Sequence, residues 1–156
     1  QTTHIADGWL HLYFNPFHPE IYADQLKDAK PGFEIAPMVM VNIADDLQQA
    51  LLPVKMSLAF YVGGMGAQEH NFHKNLMARM GYEAEANRIQ ELFMAGKRDE
   101  AVMAVPDRFA DEITLSGPKA RIKDRFQAWR ESSATTLLLM GTGGSSMLRA
   151  MAEIAL

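Results

Sequence analysis

Four stretches of this sequence hold residue types whose spacing could do chemistry. Gly141-Thr142-Gly143-Gly144-Ser145-Ser146 follows an apolar, strand-like run and opens a helix. Backbone N–H groups in such a turn can cradle a phosphate. No Gly-x-x-x-x-Gly-Lys pattern accompanies it, and a strand-to-helix turn with a serine N-cap accounts for the same residues. Glu69-His70-Asn71-Phe72-His73 sets two imidazoles at i and i+3 of a helix. A zinc site usually takes about three or four protein ligands. Glu69 adjoins His70 in sequence and so points elsewhere on the helix, which makes a solvated polar face the expectation. His4, His11 and His18 recur at a regular interval, but they span a strand and loops and share no face. Gly63-Gly64-Met65-Gly66 could hinge a lid, since glycine tolerates unusual backbone angles. It could equally end a helix in a tight turn.

The elements that position these groups follow from apolar patterning. Trp9 to Phe14, Phe33 to Val41 and Thr135 to Met140 read as strands. The second and third are nearly continuous apolar runs, which suit a parallel sheet covered on both faces. Pro37 places a strand start, an edge or a bulge in the second. Helices are expected at Pro19 to Ala29, from Asp45 or Asp46 to Tyr61, and from Gln68 to Met80 with Gly81 as its cap. Tyr82 to Ala95 is closed by Gly96. Arg98 to Val105, Pro106 to Ile113, the helix opened by Gly117-Pro118, and Ser145 to Ala155 follow. Pro53 inside the second helix predicts a kink or break. In the helix after Pro118, Ile122, Phe126 and Trp129 face inward, and Lys119, Arg121, Lys123 and Arg125 form a solvated face. The order β-α-β, many helices, then β-α argues an α/β fold with three parallel strands and about seven helices. The segment from about 44 to 131 is a large helical insertion, and one domain, 1–156, is expected.

Bulk properties narrow the function. The chain has 156 residues, a net charge of −4 and no cysteine. That balance opposes a broad nucleic-acid surface, and nearby acids oppose one on the basic helix. No apolar run is long enough for a membrane span. Without cysteine, disulfides and thiolate metal sites are excluded, and a reducing, cytoplasmic setting is expected. The eleven Met residues fit plastic core and interface packing. No basic-then-apolar leader precedes the first strand. The start at Gln1, running straight into that strand, suggests a processed chain or a piece whose start lies upstream.

A set of motifs adds to this reading. Ala6-Asp7-Gly8-Trp9, Tyr61-Val62-Gly63-Gly64-Met65-Gly66, Asn71-Phe72, Gly81-Tyr82-Glu83-Ala84, Ala95-Gly96-Lys97, Val105-Pro106-Asp107 and Gly117-Pro118 occur in this order. The set resembles luciferase-like monooxygenases, and within them the coenzyme F420-dependent oxidoreductases. The resemblance implies part of a (β/α)8 barrel, with the strands at Trp9, Phe33 and Thr135 as strands six, seven and eight. About five strands would then be missing. Active-site groups in such barrels sit at the C-terminal ends of strands. The resemblance therefore implies Phe14, Asn15, Asn42, Gly141 and Thr142 as residues rimming an F420 or FMN pocket, while Gly63, Gly64 and Gly66 stay candidates for a hinge or lid on backbone freedom alone. It implies no catalytic residue and no metal. In the family, hydride passes between deazaflavin and an organic substrate, or reduced flavin meets oxygen.

Three strands cannot close a barrel and leave two open edges. Pairing with a second copy, through sheet edges or Met-rich surfaces, or with a separate N-terminal half is therefore expected, with no activity from the chain alone. A different class of reading is a standalone oligomeric α/β module that binds a partner or ligand, or serves only as structure.

Overall fold

The computed structural model describes residues 2–66 and 70–156, with nothing described of the Thr2 and His4 side chains. Gln68 and Glu69, where a helix start and a polar-face acid were expected, lie outside the described residues. The backbone divides into two compact units, one made of the chain up to Ala50 together with Asp111–Leu156, the other of Leu51–Ala110.

The first unit holds an all-parallel sheet. Strand β1 spans Gly8–Leu12, β2 Glu34–Ile43, β3 Leu115–Gly117 and β4 Leu138–Met140. The three expected strands are present, and β3 is a further short one. β2 is the hub. Gly8–Leu12 runs beside Glu34–Met38, Leu138–Met140 beside Met38–Met40, and Leu115–Gly117 beside Val41–Ile43.

Two strands are shorter than their apolar runs. β1 stops at Leu12 because Tyr13 adopts φ 62°, a left-handed backbone that a non-glycine residue takes at a cost. β4 starts late because Thr135 Oγ1 accepts the Ile35 N–H at 2.9 Å, while the Thr135 and Thr136 N–H groups donate to the Ile35 carbonyl.

Pro37 sits inside the central strand rather than at a start or edge. The pairing alternates along β2. The Glu34 N–H donates to Asp7 on the β1 side, and the Ile35 N–H faces Thr135 on the β4 side. Pro37 shares the parity of Ile35, so its absent N–H faces β4 one residue before that ladder begins.

The same parity separates two sheet faces. His11, Ile35, Val39 and Val41 point into a buried layer with at most 8% exposure. On the other face Leu10 is 67% and Leu138 38% exposed, with Leu12, Met38, Met40 and Met140 half-buried beside them. One face of the sheet is therefore covered and the other is largely bare.

Helices α1 (Thr2–Ile5), α2 (Ala23–Leu26), α8 (Lys119–Glu131) and α9 (Gly144–Ala155) belong to this unit. A 3₁₀ turn, Pro19–Tyr22, precedes α2, so the helix expected over 19–29 is two short pieces. In α8, Ile122 and Trp129 are fully buried. Trp129 packs at 6.0 Å on Phe14, whose ring stacks on Tyr22 at 4.7 Å.

Helix α3 (Leu47–Gly64) begins at Asp46, whose Oδ1 accepts the Gln49 N–H at 2.7 Å. It is one continuous helix through Pro53, so of the expected kink or break the break does not occur. The bond forfeited is the one to the Gln49 carbonyl, on an exposed residue where water can replace it.

The second unit contains most of α3 with α4 (Phe72–Met77), α5 (Glu83–Met94) and α6 (Arg98–Met103), and α7 (Asp107–Glu112) runs from it into the first. Gly81, at φ 90°, breaks the helix between α4 and α5. Gly96 closes α5, donating its N–H to Phe93 while Lys97 donates to Leu92, the paired bonds of a Schellman cap.

Candidate functional site

The exits of the parallel strands form the candidate site, because the crevice beyond them is where such sheets place ligands. At the exit of β2, Asn42 carries a buried Nδ2 with no hydrogen-bond partner among the described residues. Buried amide donors are almost always paired, which makes this atom the candidate contact of the site. Asn42 shares the parity of Met38 and Met40, on the bare sheet face.

Gly141 lies beside it at the exit of β4. A Cβ there would come within 2.6 Å of the Val41 carbonyl, so the turn after β4 passes over β2 only because residue 141 is glycine. The structure thus brings the β2 and β4 exits together. Thr142 follows, exposed. Gly143, not a serine, is the N-cap of α9, and no side chain caps the helix. Ser146 Oγ instead donates back to the Gly143 carbonyl at 2.6 Å.

The exit of β1 is built differently. Phe14 and Asn15 are buried, at 1% and 0% exposure. The Asn15 backbone N–H donates to the Tyr22 hydroxyl at 2.8 Å, its Nδ2 donates to Glu112 Oε2 at 3.0 Å, and its Oδ1 accepts the Phe17 N–H at 2.9 Å. His18 joins the same acid, its Nε2 3.7 Å from Glu112 Oε2, and holds Glu20 at 2.9 Å through Nδ1. These bonds fix the loop that leaves β1.

Beside Glu112, Asp111 anchors α8. Arg121 donates to both its carboxylate oxygens at 2.8 Å and to the Ser116 carbonyl at 3.0 Å. Arg125 lies 3.2 Å from the same carboxylate, donates to the Asp111 carbonyl, and rests over the Phe17 ring. Burial lowers the Arg125 pKa, and the Asp111 charge opposes that shift. The solvated face expected of this helix therefore holds for Lys119 and Lys123 but not for Arg121 and Arg125, which are half-buried and paired. Sequence reasoning missed Asp111 and Glu112, because their partners are brought close only by the fold.

In the other unit, Gly63 and Gly64 end α3 against α5. A Cβ on Gly63 would meet Phe93 Cβ at 2.5 Å, and one on Gly64 would meet the Phe93 ring edge at 2.5 Å. The structure supplies a packing reason for both glycines. Only Gly66, at φ 96°, has a backbone that demands glycine. Gly63→Ala is expected to cost about 1–3 kcal/mol, because its neighbour is the base of a side chain. Gly64→Ala should cost less, since the ring can turn away. Thermal unfolding of the two variants checks the order.

Asn71 explains its own place in the motif set. Its Oδ1 accepts the Lys74 N–H at 2.9 Å, capping α4, and its Nδ2 donates to the Tyr61 and Val62 carbonyls at 3.0 and 2.8 Å at the end of α3. His70 is exposed, while His73 packs edge-on to Tyr61 at 4.8 Å, and burial lowers its pKa. Among the described residues no cluster of three or more His, Cys, Asp or Glu could hold a metal. None of the described helices is long and apolar enough to cross a membrane.

Comparison with known proteins gives matches of three kinds. The luciferase-like monooxygenase family model matches residues 1–136. A Mycobacterium tuberculosis protein, named as a coenzyme F420-dependent oxidoreductase, is 33% identical over 159 residues, covering 96% of this chain and 46% of the relative. The coenzyme F420-dependent tetrahydromethanopterin reductase of Methanopyrus kandleri matches with a TM-score of 0.67 at 19% identity, covering 91% of this chain and 41% of that one. The match to the solved reductase shows the fold, that of part of a (β/α)8 barrel. The chain spans about half the length of the curated relative it matches.

Proposed function

Because this chain belongs to the luciferase-like monooxygenase family, we propose that it is the part of an F420-dependent oxidoreductase that carries three strand exits of the cofactor pocket. The observation that carries this reading is the buried, unpartnered Nδ2 of Asn42 at the exit of the central strand. An orphaned donor there fits a carbonyl oxygen of a deazaflavin or flavin ring. Gly141 keeps the neighbouring turn low enough for a ring to approach, and Thr142 with the uncapped first turn of α9 presents donors to an anionic group. Phe14 and Asn15 are positioning residues, since their bonds hold the β1 loop rather than face outward. F420, when bound, supplies the hydride chemistry, and the protein contributes placement and exclusion of water. F420 is favoured over FMN because the names of both similar proteins carry F420. A reducing, cytoplasmic setting suits a chain without cysteine.

The remaining strands come from outside these residues, from a separate half or a second copy, and the chain alone is inactive. Co-expression with the unmatched part of the Mycobacterium relative, followed by fluorescence titration, tests this. The expected result is micromolar F420 binding by the complex, FMN binding at least about tenfold weaker, and neither by the chain alone. Tighter FMN binding overturns the choice of cofactor. Micromolar binding by the chain alone overturns the need for a partner. A folded complex that binds neither leaves the non-enzymatic module as the correct reading.

A further inference from the structure

We propose that the outward row Leu52, Met56 and Phe60 of helix α3 is a self-association surface, on which two copies of this chain pair about a two-fold axis beside Met56. The row lies within the second unit and shares no residue with the sheet. The proposal stands apart from the cofactor reading above.

Helix α3 has two apolar sides. Leu51, Val54, Leu58 and Val62 are buried, with at most 1% exposure. Leu52, Met56 and Phe60, four residues apart, stack one above another along a helix. They lie on the opposite side and are 48%, 57% and 49% exposed. A surface helix ordinarily sets charged or polar residues opposite its buried stripe. Here the outward row is apolar too, and exposed apolar patches mark contact sites.

Charge decides which partner fits. Lys55 is the one charged residue in α3. Its side chain is 9% exposed, and its Nζ donates to Asp107 Oδ1 at 2.8 Å, so this cation is paired away from the row. A helix that lies on a membrane flanks its apolar face with Lys and Arg, and α3 presents none. A partner selected by charge needs an opposite charge to read, and the row offers none. A second copy needs neither. Two chains of net charge −4 repel each other, and an uncharged face is where they can approach. At one end Arg98 rests over the Phe93 ring, whose centre is 6.2 Å from that of Phe60. It gives the apolar row a polar rim.

The spacing suits self-pairing in shape as well. Rows at i, i+4 and i+8 of one helix interdigitate with the same rows of another at a crossing of about −50°. A two-fold interface uses one patch on both subunits, so a single row suffices. Met56, in the middle, then meets its own copy, and its flexible thioether can adapt to an identical neighbour. The row is short beside the roughly 1,200 Å² that stable complexes bury. The dimer is therefore weak, with a Kd on the order of 10–100 μM.

Sedimentation equilibrium of the full chain across that range tests this. The expected result is a monomer–dimer equilibrium that Met56→Asp and Met56→Lys each weaken at least about tenfold, because like charges then face each other across the axis. Met56 is exposed enough that both variants stay folded. Mixing the two variants in equal amounts should restore a dimer, which a folding defect could not do. Leu10→Asp, on the bare sheet face at 67% exposure, should leave the equilibrium unchanged. The proposal is overturned if the chain stays monomeric, if Met56→Asp associates as well as the parent, or if the mixed variants stay apart. It is also overturned if Leu10→Asp, and not Met56→Asp, dissolves the dimer. Flotation of a monomeric chain with phosphatidylcholine vesicles, lost in Met56→Asp, would assign the row to a lipid surface instead.

Discussion

Replacing Asp111 with alanine should lower the stability of the first unit by about 3–5 kcal/mol. The carboxylate is 14% exposed and holds two guanidinium groups that are themselves 30% and 21% exposed. Removing it leaves Arg121 and Arg125 half-buried and repelling each other, with only the Glu112 charge still acting on Arg125. The cost is that of the stranded cations more than of the lost attraction, because a partly buried ion pair repays little beyond its own desolvation. Replacing all three residues with apolar ones of similar size should therefore recover most of the loss. Denaturant unfolding of the single and triple variants checks both expectations. A triple variant as weak as Asp111→Ala would mean that the hydrogen bonds to the Ser116 and Asp111 carbonyls, not the charges, carry the site.

Asn42→Leu should separate stability from binding. The Nδ2 of Asn42 is a buried donor without a partner among the described residues, and an unmet donor costs about 1–3 kcal/mol. Leucine removes that cost, so the isolated chain should become more stable by a similar amount. The completed complex should lose at least about tenfold in F420 affinity, the equivalent of one hydrogen bond. Asn42→Asp keeps the shape but replaces the donor with an acceptor, so it should lose affinity and gain no stability. Calorimetric melting and fluorescence titration of the two variants decide the matter. A leucine variant that is less stable and binds normally would remove Asn42 from the pocket.

Much of the fold was legible because it is written in local patterns. The apolar runs at Trp9, Phe33 and Thr135 located three strands, and Gly81, Gly96 and Pro118 marked helix boundaries by backbone angle or a missing N–H. What escaped depends on distant residues. Nothing near Tyr13 announces a left-handed turn. β3 is three residues long, and it exists because β2 offers an edge to it. Arg121 and Arg125 read as solvent charges until Asp111 is placed beside them, and the bond from the Asn15 amide to Glu112, 97 positions away, has no local signal in the sequence. Pro53 does not end its helix, because the forfeited bond falls where water can replace it. The site was legible only as strand ends. Which of those ends carries an unmet donor is a matter of three-dimensional packing.

Pro37 has a consequence for the chain as it is made. β1 and β2 emerge close together during synthesis, but Leu138, which pairs with Met38, emerges only after the whole helical insertion. Through that interval the far edge of β2 is open to any other extended chain, and slow non-local pairing of this kind exposes a protein to aggregation. A proline in the middle of that edge removes a donor where a stray strand would otherwise zip on. Pro37 therefore leaves that edge of the nascent strand one donor short until β4 arrives.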